Sequence, residues 1–407
     1  IVRLASEHRI PIVPRGGGTG LSGGALATHG GICLSLERMN RILEIDERDF
    51  FVVTQPGVIT QHLQEAVEER GLFYPPDPAS RGSCTIGGNI AENAGGPRAL
   101  KYGVTKDYVY GLKVVLANGE LTAWGGKRLK DVTGLNMVQL FVGSEGILGI
   151  VTEITLKLIA LPKYRRTLLV PFDSLQAAAE SVPAIMSQGV VPCALELMEK
   201  DCLLAIQDHL GKPVRFSDRA ATLLIEIDGN HESALDYEME LIGSILEKQG
   251  AQDVFMAGTT AQQNEIWDIR RVAGEAVKSI CPYKEEDTVV PRSKIPDLIL
   301  GVHEICNRWG IRVICYGHAG DGNVHCNILK ADMPDEQWNN GLQEPIEDIF
   351  RLTVGLGGTI SGEHGIGHSQ SSYLPIALKE SEIATIRQIK NTFDPLGIMN
   401  PGKIIAN

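Results

Sequence analysis

No run of 18 apolar residues occurs in this sequence, and no secretory leader pattern is visible at its start. A membrane-spanning helix is therefore not expected. CxxC pairs and ferredoxin-type spacings are missing among the cysteines at 33, 84, 193, 202, 281, 306, 315 and 326. The chain thus carries no recognisable iron–sulfur cluster of its own, and a reducing, cytoplasmic setting is the simplest expectation. Basic side chains are in deficit, 38 against 50 acidic, for a net charge of −12. That balance argues against nonspecific binding to nucleic acid or anionic lipid, while leaving room for a local basic pocket. Internal repeats and low-complexity tracts are also lacking, which removes solenoid and linker architectures.

What is present in excess is glycine, 45 in 407 residues, about 11 % against a usual value near 7 %. The glycines cluster, as expected where backbone approaches a ligand closely. The length predicts two or three domains, and 43 % hydrophobic against 22 % charged residues describes ordinary globular cores. The opening IVRLASEHRIPIVPRGGG reads as a helix under way and then a strand, so the expectation is a start inside a domain, with a targeting segment or part of a lobe upstream. Up to residue 155, strand-like runs (Pro11–Pro14, Gly31–Leu36, Phe51–Gln55, Gly111–Ala117, Ile150–Leu158) alternate with glycine turns. From 156 to about 375, strands such as AATLLIEIDG alternate with long helices such as HESALDYEMELIGSILEKQG, predicting an α+β layer domain with helices on one face. Residues 376–407 read as a helix stopped at Asp394-Pro395 and a tail that packs back on the rest.

Pro14 to Gly24, PRGGGTGLSGG, satisfies GxGxxG at Gly18, Gly20 and Gly23 and GxSxG at Gly20, Ser22 and Gly24. Either motif should open a helix, and here further glycines and a strand follow. What the loop can do is offer consecutive backbone N–H groups to an anion, with Arg15, Thr19 and Ser22 beside them. Asp77 to Gly96 and Phe141 to Glu153 are two further glycine clusters, so a long, flat, polar ligand is expected along the domain.

The second constellation is VICYGHAGDGNVHCNIL, two strands joined by a turn. With 319–324 as the connection, His318 and His325 stand directly opposite each other and can face one metal ion; backbone hydrogen bonding is the plainer use of such a pair. Glu363, in GGTISGEHGIGHS, is the candidate third ligand. Two imidazoles and a carboxylate suit Zn2+, with Fe2+ or Mn2+ also compatible. His364, on the adjacent position and expected to point the other way as in a strand, is a candidate general base, since an unperturbed imidazole is suited to accepting the proton of a substrate hydroxyl. His368 and Arg271 fit structural roles.

The ordered set PRGGGTGLSGG, TIGGNIAENAGG, KYGVTKD, GSEGILGIVTEITLKL, GHAGDGNVH, SGEHGIG and NPGK resembles the FAD-linked oxidase family of the vanillyl-alcohol-oxidase type, and within it the D-2-hydroxy-acid dehydrogenase group. This resemblance, which spans nearly the whole chain, implies an α+β protein: a PCMH-type FAD-binding domain (1–155), a second α+β substrate domain built on an antiparallel sheet (156–375), and a C-terminal helix and tail (376–407) returning to the FAD site. It implies that Arg15, Gly16, Gly17, Gly18, Thr19, Gly20, Leu21 and Ser22 hold the pyrophosphate. Pro78, Thr85, Gly88, Asn89, Ala94, Gly95, Tyr102 and Gly103 would run along the flavin and ribityl chain. Glu145, Gly149, Ile150 and Val151 would sit toward the adenine or ring edge, and Asn400 would meet the isoalloxazine. Members with covalent flavin attach it through a histidine in or beside the first loop, which this loop lacks, so the FAD is expected to be noncovalent. By the same resemblance Arg270 binds the substrate carboxylate, with Lys284 a weaker second, and His364 is the base. The implied reaction is oxidation of a D-2-hydroxy acid to the 2-oxo acid, with electrons passed to an electron-transfer flavoprotein, an iron–sulfur subunit or a quinone-linked partner. Alternatives are a same-fold alcohol oxidase or synthase, a noncatalytic flavin-bearing subunit, or a flavin-free metallohydrolase.

Overall fold

The computed structural model describes residues 1–405. The chain forms two compact units: one of Ile1–Gly96, Gly103–Leu161 and the segment from Glu363 onward, the other of Pro97–Tyr102 and Pro162–Gly362.

In the first unit the strand Ile12–Arg15 pairs in parallel with Ile32–Ser35, and the glycine loop lies between them. No helix forms there, because Gly18 and Gly23 take positive φ (70° and 77°), a region that interrupts an α-helix. A five-stranded antiparallel sheet runs in the order Ile42–Asp46, Phe51–Thr54, Ile150–Lys157, Val109–Val115, Leu121–Gly125. The glycine-rich segment after Cys84 holds a helix that its composition hides, Ile86–Glu92, begun by Thr85, whose hydroxyl accepts the Gly88 N–H at 3.3 Å. The C-terminal helix Glu380–Phe393 ends at Asp394, whose carboxylate accepts the N–H groups of Ile398 and Met399. This turns the tail so that Ile398 and Met399 enter a core with Val2, Ala5, Ile12, Ala117 and Ile150. Backbone bonds Ile12 N to Ile398 O (2.7 Å) and Asn400 N to Ile12 O (2.8 Å) fix the tail against the first strand.

The second unit is built on a seven-stranded sheet in which every pairing is antiparallel: Phe255–Met256, Tyr164–Phe172, Ala221–Gly229, Ala194–Glu199, Arg312–His318, Asn323–Leu329, Tyr283–Val289. Ala194–Glu199 is buried at every position, which requires cover on both sides. Helices therefore lie on both faces, not on one as the sequence suggested. Leu175–Ser187, Glu232–Lys248 and Ile295–Trp309 form one layer; Lys200–Leu210, Thr260–Arg271 and Ala273–Ile280 belong to the other. The second layer closes a core with Met198, Leu224, Trp267, Ile314 and Tyr316. Because paired residues of a sheet share a face and neighbours in a strand alternate, the register sorts the side chains. Tyr316 and His325 are on this face; Cys315 and Cys326 are on the other.

Candidate active site

A cavity of about 310 Å³ opens in the first unit, within the size range of small-molecule sites. Arg15 to Leu21, Pro78, Thr85, Gly88, Asn89, Ala94, Gly95, Glu145, Gly149 to Val151 and Asn400 line it. Of the positions assigned to the cofactor from sequence, Ser22, Tyr102 and Gly103 are not on its wall. Tyr102 belongs to the second unit, where its hydroxyl donates to Asp228 at 2.8 Å.

Close packing explains the glycines. A Cβ on Gly17 would lie 2.4 Å from the Ser83 carbonyl oxygen, so only glycine lets the loop seat on the 83–85 turn. Among the described residues, no protein acceptor takes the backbone N–H groups of Gly16 to Leu21. The tail supplies Asn400, which is 1 % exposed and donates through Nδ2 to Gly24 O (3.0 Å) and Glu145 O (2.7 Å). Its Oδ1, like Glu92 Oε2, is buried without a hydrogen-bond partner. Unmet buried polar atoms and free amides around one concavity are what a large polar ligand satisfies, so these residues fit a dinucleotide such as FAD.

Two acidic side chains sit in this wall. Glu145 accepts the N–H groups of Ile366 (2.8 Å) and Gly367 (2.7 Å), yet burial outweighs those bonds and pushes its carboxyl up to about 7. Burial, and then the charge of Glu145, holds Glu92 well above the usual carboxylate range. Both converge on Gly365: a Cβ there would lie 2.1 Å from Glu92 Oε2 and 2.9 Å from Glu145 Oε1.

Glu363 and His364 also line the cavity, with His364 Nε2 3.8 Å from Glu363 Oε1. The expectation that they point apart fails because the segment is not a strand. It is an irregular loop whose Gly365 and Gly367 have φ of 76° and 51°, so strand alternation does not govern it.

In the second unit the hairpin Arg312–His318/Asn323–Leu329 brings the other two histidines together, with ring centroids 5.4 Å apart. They are not directly opposite. The connection is four residues, not six, so Asn323 faces His318 and Tyr316 faces His325; the histidines are diagonal neighbours on one face. His318 Nδ1 lies 2.8 Å from both oxygens of Glu196, and His325 Nδ1 lies 3.1 Å from Glu285 Oε1. A carboxylate accepts only, so Glu196 holds the ring proton of His318 on Nδ1 and leaves its Nε2 as the metal-binding nitrogen. This donor arrangement fits a transition-metal ion.

Glu196 is fully buried and also binds Arg270, Nε at 2.8 Å and Nη2 at 2.7 Å. Burial alone would raise its carboxyl; the interactions with His318 and Arg270 overcome that and bring it below the ordinary value. Arg270 is 7 % exposed and stacks over Tyr316, its guanidinium carbon 5.1 Å from the ring centroid. Arg271 lies over Trp267. Lys284 is exposed and pairs with Ile328, on the face opposite His325, whereas its neighbour Glu285 meets the histidine. The strand register thus turns the Lys284 ammonium away from the pair. Sequence reasoning missed Glu92 and Glu196; for Glu196 the signal was a lone carboxylate inside the apolar run CALELM.

Residues 1–125 match the family model for the FAD binding domain, and residues 161–404 match that for FAD linked oxidases, C-terminal domain. The chain is 44 % identical to glycolate oxidase subunit GlcD of Bacillus subtilis, covering 100 % of this chain and 86 % of that protein. It is 38 % identical to D-lactate dehydrogenase of Anaerostipes hadrus (99 % and 86 % covered) and 35 % identical to D-2-hydroxyglutarate dehydrogenase of Stutzerimonas stutzeri (100 % and 88 %). Among solved structures, p-cresol methylhydroxylase has the same fold with a TM-score of 0.79 at 16 % identity, covering 100 % of this chain and 86 % of that one. Alkyldihydroxyacetonephosphate synthase matches with 0.72 at 21 %, covering 98 % and 74 %. With both halves matched and relatives this similar end to end, the chain belongs to the FAD-linked oxidase family.

Proposed function

We propose that this protein is an FAD-dependent oxidoreductase that converts a D-2-hydroxy acid, such as D-lactate or glycolate, to the 2-oxo acid. The observation that carries this reading is the pair of imidazoles on one hairpin, each with its Nδ1 beside a carboxylate, in a chain whose relatives are named for 2-hydroxy acids. FAD is noncovalent and, when bound, supplies a two-electron acceptor for the hydride of the substrate Cα. Arg15 to Leu21, Asn89, Glu145 and Asn400 hold it. His318, His325 and Glu363 hold one divalent ion, Zn2+ by preference and Fe2+ or Mn2+ by compatibility, which supplies Lewis acidity toward the substrate oxygens.

The protein's own part is proton transfer and orientation. His364 takes the hydroxyl proton through its imidazole as the C–O bond becomes a carbonyl. Arg270 holds the substrate carboxylate, its charge balanced by Glu196, so that the Cα hydrogen stays directed toward the acceptor. No helix among the described residues is long and apolar enough to cross a membrane. Electrons leave to a separate acceptor, an electron-transfer flavoprotein, an iron–sulfur subunit or a quinone-linked partner; the GlcD relatives are named as subunits.

The test compares anaerobic flavin reduction by 2-hydroxy acids with that by the matching alcohols lacking the carboxylate. Reduction by the acids alone supports the reading, and equal reduction by the alcohols returns it to a same-fold alcohol oxidase. Acid precipitation should release the flavin into solution; yellow colour retained on the denatured chain refutes noncovalent attachment.

A further inference from the structure

On the sheet face opposite the histidine pair, three unlike donors meet. Glu199 ends the strand Ala194–Glu199, His303 is on the helix Ile295–Trp309, and Cys315 is on the strand Arg312–His318. A carboxylate oxygen, an imidazole nitrogen and the thiol sulfur lie within 4.8 Å of one another. We propose that Glu199, His303 and Cys315 form a second metal site, specific for a borderline divalent cation such as zinc, that ties the helix to the sheet.

The geometry supports the assignment in several ways. Tetrahedral zinc with ordinary bond lengths holds its N, O and S ligands about 3.3–3.7 Å apart; the present spread needs only small side-chain movements to reach that. Glu199 is 5 % exposed and Cys315 fully buried, so the charged oxygen and the thiol share a site with little water to solvate them. His303 Nε2 lies 2.8 Å from Glu199 Oε2, and an ion entering between them takes the place of the shared proton. The other carboxylate oxygen accepts the backbone N–H of Cys315 at 2.5 Å, fixing the glutamate's orientation as hydrogen bonds to metal ligands commonly do. Cys326, opposite Cys315 in the strand register and also fully buried, lies beside it on the same face. The His303 side chain is 34 % exposed and gives the ion its way in.

A thiolate, an imidazole and a carboxylate select zinc over calcium or magnesium, which prefer all-oxygen sites. The ligands come from three elements, and among the described residues neither the flavin cavity nor the histidine pair shares a member with this group. The role is therefore structural and independent of the reading of the active site.

Cobalt separates the two sites, because only this one contains sulfur. Holoenzyme stripped by chelation and reloaded with Co2+ should show a thiolate-to-cobalt charge-transfer band in the near-ultraviolet difference spectrum. Cys315→Ser should abolish the band and lose one equivalent of metal while flavin reduction by substrate stays unchanged. His318→Ala should keep the band whatever becomes of its activity. Should Cys315→Ser fail to fold, His303→Gln at the open edge serves: it should weaken the band and remove the thermal stabilisation that zinc gives the wild-type protein. Cobalt loading without a thiolate band, a band that survives Cys315→Ser, or recovery of a metal-free Cys315–Cys326 disulfide from the purified protein would each overturn the proposal.

Discussion

Replacing Glu92 with glutamine should make this protein more stable, and increasingly so as pH rises. In the folded chain Glu92 keeps its proton well above the ordinary carboxylate range, because of burial first and the charge of Glu145 second. Unfolded, it ionises near the ordinary glutamate value of 4.5. Below that pH both states are protonated and nothing is lost. Above it the unfolded chain releases the proton while the folded chain must hold it, so folding is penalised by about 1.36 kcal/mol per pH unit until the raised pKa is reached. Over the range between 4.5 and that raised value the penalty grows with pH, and Glu92→Gln, which has no proton to release, escapes it. Glu145, raised from 4.5 to about 7, carries a similar penalty that reaches roughly 3 kcal/mol and ceases to grow above pH 7. It is present in both proteins and largely cancels from the difference. The assay is denaturant unfolding of both proteins with FAD saturating, at intervals from pH 5 to 8. A gap between the two stability curves that widens with pH is expected. A constant gap would mean that Glu92 is not held protonated, and a gap widening in the opposite direction would mean that the cavity stabilises it ionised.

The remaining expectations concern the reaction. His364→Asn should retain metal and FAD but slow flavin reduction by about 10²–10⁴-fold, the usual contribution of a general base, as read by anaerobic stopped flow. Glu363→Gln should lower metal content, with activity partly restored by added metal; metal loss in the His364 variant instead would exchange the two roles. Glu196→Gln should weaken metal binding by about 10–100-fold, as expected when the partner that orients a ligating histidine is altered, and a chelator titration measures it. Arg270→Met should raise the acid concentration needed for half-maximal reduction by on the order of 10–100-fold, corresponding to loss of a charged hydrogen-bonded contact; unchanged saturation would move the carboxylate contact elsewhere.

Much of the scaffold was legible because its signals are local. The runs at 12–15, 32–35, 51–54 and 150–157 are strands, and the glycines after Gly20 announced that no helix would follow the first loop. The helix Ile86–Glu92 escaped because its two glycines mask a pattern that Thr85 and burial of Ile86 and Ile90 sustain. The hairpin histidines were visible as a pair but not in their register, since a two-residue difference in turn length moves them from opposite to diagonal. Lys284 and Glu285 show the same limit, because one position along a strand exchanges the faces. Glu92 and Glu196 were missed for a different reason: each buried carboxylate takes its meaning from partners, Glu145 for the one and His318 and Arg270 for the other, which lie tens of residues or more away in sequence. Only the folded chain supplies those partners.

The most direct measurement of the central claim is the anaerobic mixing of flavin-loaded protein with the two enantiomers of lactate and with glycolate and D-2-hydroxyglutarate, followed at the flavin absorption. The account predicts bleaching by at least one of these acids, with D-lactate favoured over L-lactate wherever the pair reacts. A protein whose flavin is reduced by dithionite but by none of these acids, or by the L enantiomer alone, would contradict it.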